Sequence, residues 1–119
     1  MTTNEILEGN KLIAEFMGIK TKVYSDRPSI VYYDYNGFMN STDQMEYHSS
    51  WDWLMPVVQK IETMDSCRYK IILHFEIAFI DDTATRPDSS VIRASGNNRL
   101  ETAYNMVIKF IQWYNNKNI

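Results

Sequence analysis

The stretch that decides the fold runs from Asn98 to Tyr114 and reads NRLETAYNMVIKFIQWY. Its apolar residues recur every three or four positions, which places them over a wide arc of one α-helix. An arc of that width must be covered by other elements, so this helix is predicted to pack into the core. Asn98 followed by Glu101 is a capping-box arrangement, which predicts that the helix begins there. The stripe consists of Leu100, Ala103, Tyr104, Val107, Ile108, Ile111 and Tyr114, with Phe110 and Trp113 beside it.

The size and composition of the chain predict one globular domain. Of its 119 residues, 45% are hydrophobic and 23% are charged. These are ordinary values for a folded protein and argue against a disordered chain. A domain of this length removes roughly 65% of its unfolded surface from water, which is enough for one core. We therefore assign residues 1–119 to a single domain.

The charge balance disfavours a nucleic-acid partner. The formal net charge is −3 at pH 7, whereas binding to a phosphate backbone draws its affinity largely from Lys and Arg. Lys20, Lys22 and Arg27 lie close together in the sequence, and a surface loop of mixed charge explains them more simply. Nucleic-acid binding through residues 20–27 is the weakest of three functional hypotheses.

The cysteine content and the pattern of apolar runs indicate the setting of the protein. Cys67 is the single cysteine, which excludes an intramolecular disulfide and a multi-cysteine zinc site. Charged residues interrupt every apolar run before the roughly 18 residues that a bilayer-spanning helix needs. The first ten residues lack the basic and apolar regions of a secretory signal. We expect a cytoplasmic protein with no membrane partner, no bound metal and no cofactor.

Two further helices are predicted upstream of the last one. The first spans residues 4–17 and ends before Gly18, a residue suited to the left-handed position that follows a helix. The second spans residues 50–63, with Ser49 or Ser50 as its cap and with Pro56 bending it or distorting its first turn. The inner faces carry Ile6, Leu7, Ile13, Phe16 and Met17 in the first helix and Trp51, Leu54, Val57, Val58 and Ile61 in the second.

Strands are predicted in the segments between the helices. Residues 29–35 are β-branched and aromatic, and Asn36-Gly37 follows them, which predicts a hairpin that returns through residues 38–39. Residues 69–80 alternate with a wholly apolar odd set, which predicts one long strand with a bulge near its middle. Residues 90–94 form a further short strand. This order of elements predicts the α+β class, with three helices packed on a mainly antiparallel sheet of three to four strands.

Three separated segments carry a resemblance to a known family. They are residues 10–18 (NKLIAEFMG), residues 47–58 (YHSSWDWLMPVV) and residues 103–115 (AYNMVIKFIQWYN). Together they resemble a family of small uncharacterised proteins from Bacteroidetes genomes and their prophages, described as a phage α/β/α-sandwich domain. The resemblance implies a three-layer α/β/α-type sandwich and a phage or mobile-element context. It implies no established activity and supplies no catalytic residues.

Four polar residues are the candidate ligand-binding site. His74 and Glu76 are two apart on the predicted long strand, so their side chains would leave the same face of the sheet. Asp81 and Asp82 come just past its end. Such carboxylate and imidazole groups can bind a ligand or a divalent metal, although a half-exposed sheet face normally carries polar residues without a function. Phe75, on the opposite face of the strand, is expected in the core together with Val107 and Ile111.

No catalytic set is predicted. His48 precedes Ser49, Ser50 and Asp52, but neighbouring residues rarely converge as a nucleophile, base and orienting acid must. Helix capping and pairing with the helix dipole explain the same residues. Cys67 lies beside Arg68, and nothing else around it indicates a nucleophile.

Trp51 and Trp53 are the candidate interaction surface. Two residues apart on a helix, they point about 200° away from each other. One of them should therefore reach the sheet edge, the surface or another subunit. We expect this surface to serve a homodimer or a host or phage protein partner.

Two functional hypotheses from different classes follow. The first is a small phage- or mobile-element-related accessory protein that acts by binding and has no catalytic site. The alternative is a small enzyme or ligand-binding domain whose polar site is formed by His74, Glu76, Asp81 and Asp82. A cleft lined by these four residues would favour the second hypothesis, and a covered sheet face would exclude it.

Overall fold

The computed structural model describes residues 2–24, 27–35, 38–41, 45–84 and 90–117, and between residues 20 and 41 the description is of the backbone alone. Within these residues the chain forms three α-helices and six β-strands. In chain order they are α1 (Thr3–Phe16), β1 (Lys20–Tyr24), β2 (Arg27–Tyr35), β3 (Phe38–Ser41), α2 (Trp51–Cys67), β4 (Tyr69–Leu73), β5 (Ile77–Asp82), β6 (Ser90–Ser95) and α3 (Arg99–Lys117).

The strands form two antiparallel sheets of three, ordered β1-β2-β3 and β4-β5-β6. The α+β class and the three helices are confirmed. The predicted single sheet of three to four strands differs from this arrangement, because each group of consecutive strands pairs only within itself and α2 lies between the groups in the chain. α1 contacts β1 and β2, whereas α3 contacts all three strands of the second sheet.

The first sheet contains one strand that the sequence pattern did not predict. Lys20 and Lys22 lie in β1, which pairs with β2, so this cationic segment is a strand and not the expected surface loop. The predicted hairpin of β2 and β3 is confirmed, since Tyr35 pairs with Phe38 across it. Asn36 and Gly37, the predicted turn residues, lie outside the described residues.

The predicted long strand over residues 69–80 is wrong, because the chain reverses within it. β4 and β5 form a hairpin in which Leu73 pairs with Ala78. The backbone N–H of His74 donates to the carbonyl oxygen of Ile77 at 2.9 Å. Phe75 lies at the tip of this hairpin and is 55% exposed, so its predicted place in the core is also wrong.

The reversal explains why the alternation was misleading. Residues that pair across a hairpin point to the same face of the sheet, so Leu73 and Ala78 share a face. The odd-numbered residues of β4 therefore lie on the same face as the even-numbered residues of β5. Ala78 and Ile80 are accordingly fully buried. Both faces of β5 carry apolar side chains, so the change of parity left no sign in the hydropathy pattern.

Both ends of α1 are defined by local chemistry. The Thr2 side chain caps the helix by accepting a hydrogen bond from the Glu5 N–H at 3.2 Å. At the other end Gly18 has φ +81°, and the Ile19 N–H donates to the Ala14 carbonyl at 3.0 Å. This is a Schellman arrangement, which requires a left-handed residue such as glycine. The predicted helix end at Gly18 is confirmed.

The start of α2 agrees with the prediction in position but not in detail. Ser50 occupies the N-cap position, yet its side chain makes no capping hydrogen bond. Its backbone carbonyl accepts from the N–H groups of Trp53 and Leu54 at 3.2 and 3.1 Å. Pro56 lies inside the helix, and the non-helical backbone angles occur instead at Met64–Ser66.

The end of α2 contains a left-handed turn. Asp65, Ser66 and Cys67 have φ values of 51°, 61° and 63°. Left-handed backbone costs a non-glycine residue roughly 1–2 kcal/mol. Arg68 returns to right-handed angles, and β4 begins at the next residue. The helical angles therefore end near residue 63, where the sequence pattern placed the end of the helix.

α3 begins as predicted, with the Asn98 side chain accepting a hydrogen bond from the Glu101 N–H at 2.9 Å. Val107 and Ile111 are fully buried, which confirms their predicted place in the core. Each such side chain contributes roughly 1.5–3 kcal/mol by burial. None of the helices in the described parts of the chain is long and apolar enough to cross a membrane.

Candidate functional site

The four predicted site residues lie at opposite ends of one hairpin. His74 and Glu76 are exposed in the turn between β4 and β5, whereas Asp81 and Asp82 are the last two residues of β5. A strand rises about 3.3 Å per residue, so roughly 16 Å separates Glu76 from Asp81 along the strand. The structure does not bring these residues together. The described residues also contain no group of three or more His, Cys, Asp or Glu that could hold a metal ion.

Asp81 and Asp82 make structural contacts. The buried Asp82 carboxylate accepts two hydrogen bonds from the Arg68 guanidinium, at 2.6 and 2.7 Å. These bonds hold the pKa of Asp82 below its usual range, and the Ala84 N–H at 3.0 Å adds to the effect. Asp81 accepts a hydrogen bond from the Ser90 hydroxyl at 2.8 Å. Both carboxylates therefore hold the far end of the second sheet.

The predicted interaction surface is only half exposed. Trp51 and Trp53 are both half-buried and pack against the core. Trp53 makes an edge-to-face contact with the buried Tyr47, with 5.2 Å between ring centroids. The large apolar side chain that α2 exposes most is Met55, at 46%.

A cleft lies between α1 and α3, in the described parts of the chain. Its volume is about 360 Å³, which lies within the range of pockets that bind small ligands. The half-buried side chains of Leu12 and Ile108 supply apolar surface, one from each helix. The lining consists of Glu5, Glu8, Gly9, Leu12, Tyr104, Asn105, Ile108 and Gln112.

Gly9 allows the two helices to meet at the bottom of this cleft. A Cβ atom at position 9 would lie 2.1 Å from the Tyr104 hydroxyl oxygen and 3.2 Å from the Ile108 side chain. Both distances are shorter than ordinary van der Waals contact, so any larger residue would push α1 away from α3. The absence of a side chain at Gly9 therefore fixes the spacing of the cleft walls.

A buried polar cluster surrounds the hydroxyl of Tyr104, which is a lining residue of the cleft. Asn10 is fully buried, and its Nδ2 donates to the Met45 carbonyl oxygen at 3.1 Å. The Tyr104 hydroxyl has one proton, which it shares between two acceptors, Asn10 Oδ1 at 3.3 Å and the Ile6 carbonyl oxygen at 3.4 Å. Burial raises the pKa of Tyr104, so its hydroxyl stays protonated at neutral pH and acts as a donor. These bonds connect α1, α3 and the segment before α2.

His48 completes this cluster from the segment before α2. Its ring packs edge-to-face on Tyr104, with 6.2 Å between centroids. Its Nδ1 is buried without a hydrogen-bond partner among the described residues. Burial lowers the pKa of His48, and the nearby Glu46 carboxylate partly opposes that effect. The imidazole is therefore mainly neutral at pH 7, and it packs against the Tyr104 ring.

The charged groups around the cleft are carboxylates, and its other polar groups include two side-chain amides. Glu5 and Glu8 lie one turn apart on the exposed side of α1 and are the charged residues of the lining. The Asn105 side chain donates one of its two Nδ2 N–H groups to the Ser95 carbonyl oxygen at 2.8 Å, which leaves its second N–H and its carbonyl oxygen as further hydrogen-bonding groups. The lining thus combines negative charge, hydrogen-bond acceptors and apolar surface.

Sequence reasoning missed this cleft, although two residues carried a usable signal. Gly9 lies inside the predicted first helix, and Tyr104 belongs to the predicted apolar stripe of the last helix. A glycine inside a helical pattern can also indicate a close approach by another element. Asn10, a polar residue on the inner side of the same pattern, was the second signal.

Comparison with known proteins adds no assignment to this geometry. No protein-family model, curated protein or solved structure matches the chain.

Proposed function

We propose that this chain is a small accessory protein of phage or mobile-element origin that acts by binding, and that the α1–α3 cleft is its binding site. The observation that carries the proposal is the combination of an open volume of about 360 Å³ with a fixed base. The resemblance of three sequence segments to a phage family supports the biological setting. The same resemblance supports a three-layer sandwich, and the single cysteine supports a place in the reducing cytoplasm.

The cleft is preorganised, which favours binding because little ordering is needed when a ligand enters. Its walls are two helices, and a helix is a more precise support for a site than a loop. Gly9 and Tyr104 set the distance between the walls, and the buried Asn10 side chain holds Tyr104 in place. A ligand would meet Leu12 and Ile108 as apolar surface and the lining carboxylates as polar contacts.

The proposal is tested by mapping where small molecules bind. Uniformly ¹⁵N-labelled protein is titrated with a fragment set of small anions, cations and neutral compounds, and amide shifts are recorded. We expect the shifts to concentrate on α1 and α3 around the cleft. Shifts that concentrate elsewhere, or no shifts at all, would contradict the proposed site.

Two variants make the mapping specific. Ile108→Trp should fill the cleft and abolish the shifts. Lys109→Trp adds the same ring at the neighbouring exposed position of α3 and should leave them unchanged. The amide spectrum of each free variant shows whether it retains the fold. Equal loss of binding in both variants would count against the cleft.

A further inference from the structure

We infer that the occupant of the α1–α3 cleft is a lysine side chain presented by a partner protein, with its methylenes on the apolar walls and its ammonium at the Glu5–Glu8 rim. This inference rests on the proposed function, because it names the chemistry of the ligand for the same site. The juxtaposition of Leu12 and Ile108 with Glu5 and Glu8 carries it.

The charge around the cleft selects a cation. Glu5 and Glu8 each carry a formal negative charge, and none of the other lining residues carries a positive one. Within the described residues the ion pair joins Arg68 to Asp82, and neither Glu5 nor Glu8 forms one. Residues three apart on a helix have Cβ atoms about 5–6 Å apart, so one ammonium group can contact both carboxylates.

The hydrogen-bonding groups select a donor. Ammonium has three N–H donors and no acceptor, which suits two carboxylates and an amide carbonyl. Asn105 and Gln112 in the lining each carry such a carbonyl oxygen. An anionic ligand would meet charges of its own sign at Glu5 and Glu8.

The apolar walls and the small volume of the cleft favour a ligand with a narrow aliphatic chain, such as the methylenes of lysine. Lysine carries four methylenes beneath its charged group, and such side chains bury the stem while the charge stays near water. Leu12 and Ile108 offer that stem one surface from each helix. A volume of about 360 Å³ accommodates one side chain with water, and a bare metal ion would make no use of the apolar walls.

The test compares three peptides that differ at one side chain. Ac-Gly-Lys-Gly-NH₂ carries the ammonium, the norleucine peptide keeps a linear aliphatic chain without the charge, and the Nε-acetyl-lysine peptide is neutral. We expect the lysine peptide to shift amides of α1 and α3 around the cleft, with about fivefold or tighter affinity than either neutral peptide. Added NaCl should reduce that advantage, because salt screens exposed charges.

A variant without the two carboxylates tests whether Glu5 and Glu8 cause the preference for the lysine peptide. Glu5→Gln/Glu8→Gln should lower the affinity for the lysine peptide to that of the norleucine peptide. Glu15→Gln/Glu62→Gln removes two exposed carboxylates outside the lining and should leave the affinity unchanged. Equal effects of the two double variants would overturn the inference.

The outcomes separate this inference from the proposed function. Equal binding of the lysine and norleucine peptides at the cleft would overturn the lysine preference and leave the binding site intact. Free n-pentylamine carries the ammonium and an alkyl chain without a peptide backbone. If it bound more tightly than the lysine peptide, the claim that a protein presents the ammonium would be contradicted. Absence of cleft shifts with every peptide and every fragment would overturn the binding site itself.

Discussion

At the scale of single residues, the most consequential position is the one without a side chain. Gly9 lies inside α1, where glycine costs about 1 kcal/mol relative to alanine in helix propensity. The contact of its backbone with the Tyr104 hydroxyl explains why that cost is accepted. A glycine inside a helix is therefore a packing feature here.

We predict that Gly9→Ala destabilises the protein even though alanine is the better helix former. The new Cβ atom would lie 2.1 Å from the Tyr104 oxygen, and the overpacking should cost about 1–3 kcal/mol. Chemical denaturation measures the change. In a Tyr104→Phe background the cost of Gly9→Ala should be smaller, because the closest atom is gone. An equal cost in both backgrounds would show that the hydroxyl contact is not the cause.

At the scale of elements, local chemistry was sufficient to predict the helices. Gly18 and Asn98 define ends that the chain encodes within a few residues, and the structure confirms both. The β4–β5 hairpin was not predictable in this way, since Ala78 and Phe79 are both apolar and the reversal left the alternation unbroken. The cleft was missed for a different reason, because it depends on contacts between elements that are distant in sequence.

The left-handed turn at the end of α2 makes an element-scale prediction. Ser66 has φ +61°, and glycine adopts this region without steric cost. Ser66→Gly should therefore raise the free energy of unfolding by up to about 1 kcal/mol. Gln59→Gly, at an exposed helical position of α2, should lower it by about 1 kcal/mol. Thermal or urea unfolding measures both changes. If Ser66→Gly destabilised the protein as much as Gln59→Gly, the left-handed backbone assigned to Ser66 would be wrong.

At the scale of the whole molecule, the remaining exposed apolar surface concerns self-association. Trp51 and Met55 are four residues apart on α2 and so share one face of the helix. Met55 is 46% exposed and the half-buried Trp51 lies beside it. Symmetric dimers are the commonest way for a small protein to cover such a face.

We predict a homodimer through this face of α2. Sedimentation velocity over a micromolar concentration range should show a species heavier than the 14.0 kDa chain that grows with concentration. Met55→Lys should return the protein to the monomer. Phe75→Lys, at the 55% exposed hairpin tip, is the matched control and should leave the dimer intact. A single species of monomer mass at every concentration would refute the dimer.

The contact between Tyr104 and α1 also determines when the cleft can exist. The hydroxyl of Tyr104 meets Ile6 and Asn10 across separations of 98 and 94 residues in the chain. The ribosome synthesises a chain from its N-terminus at about 5–20 residues per second. Contacts between residues so far apart in sequence therefore form late. During synthesis α1 is made well before α3. The first wall of the cleft is therefore present while the second is still missing. The ability to bind would therefore appear only after α3 has been synthesised and has packed against α1.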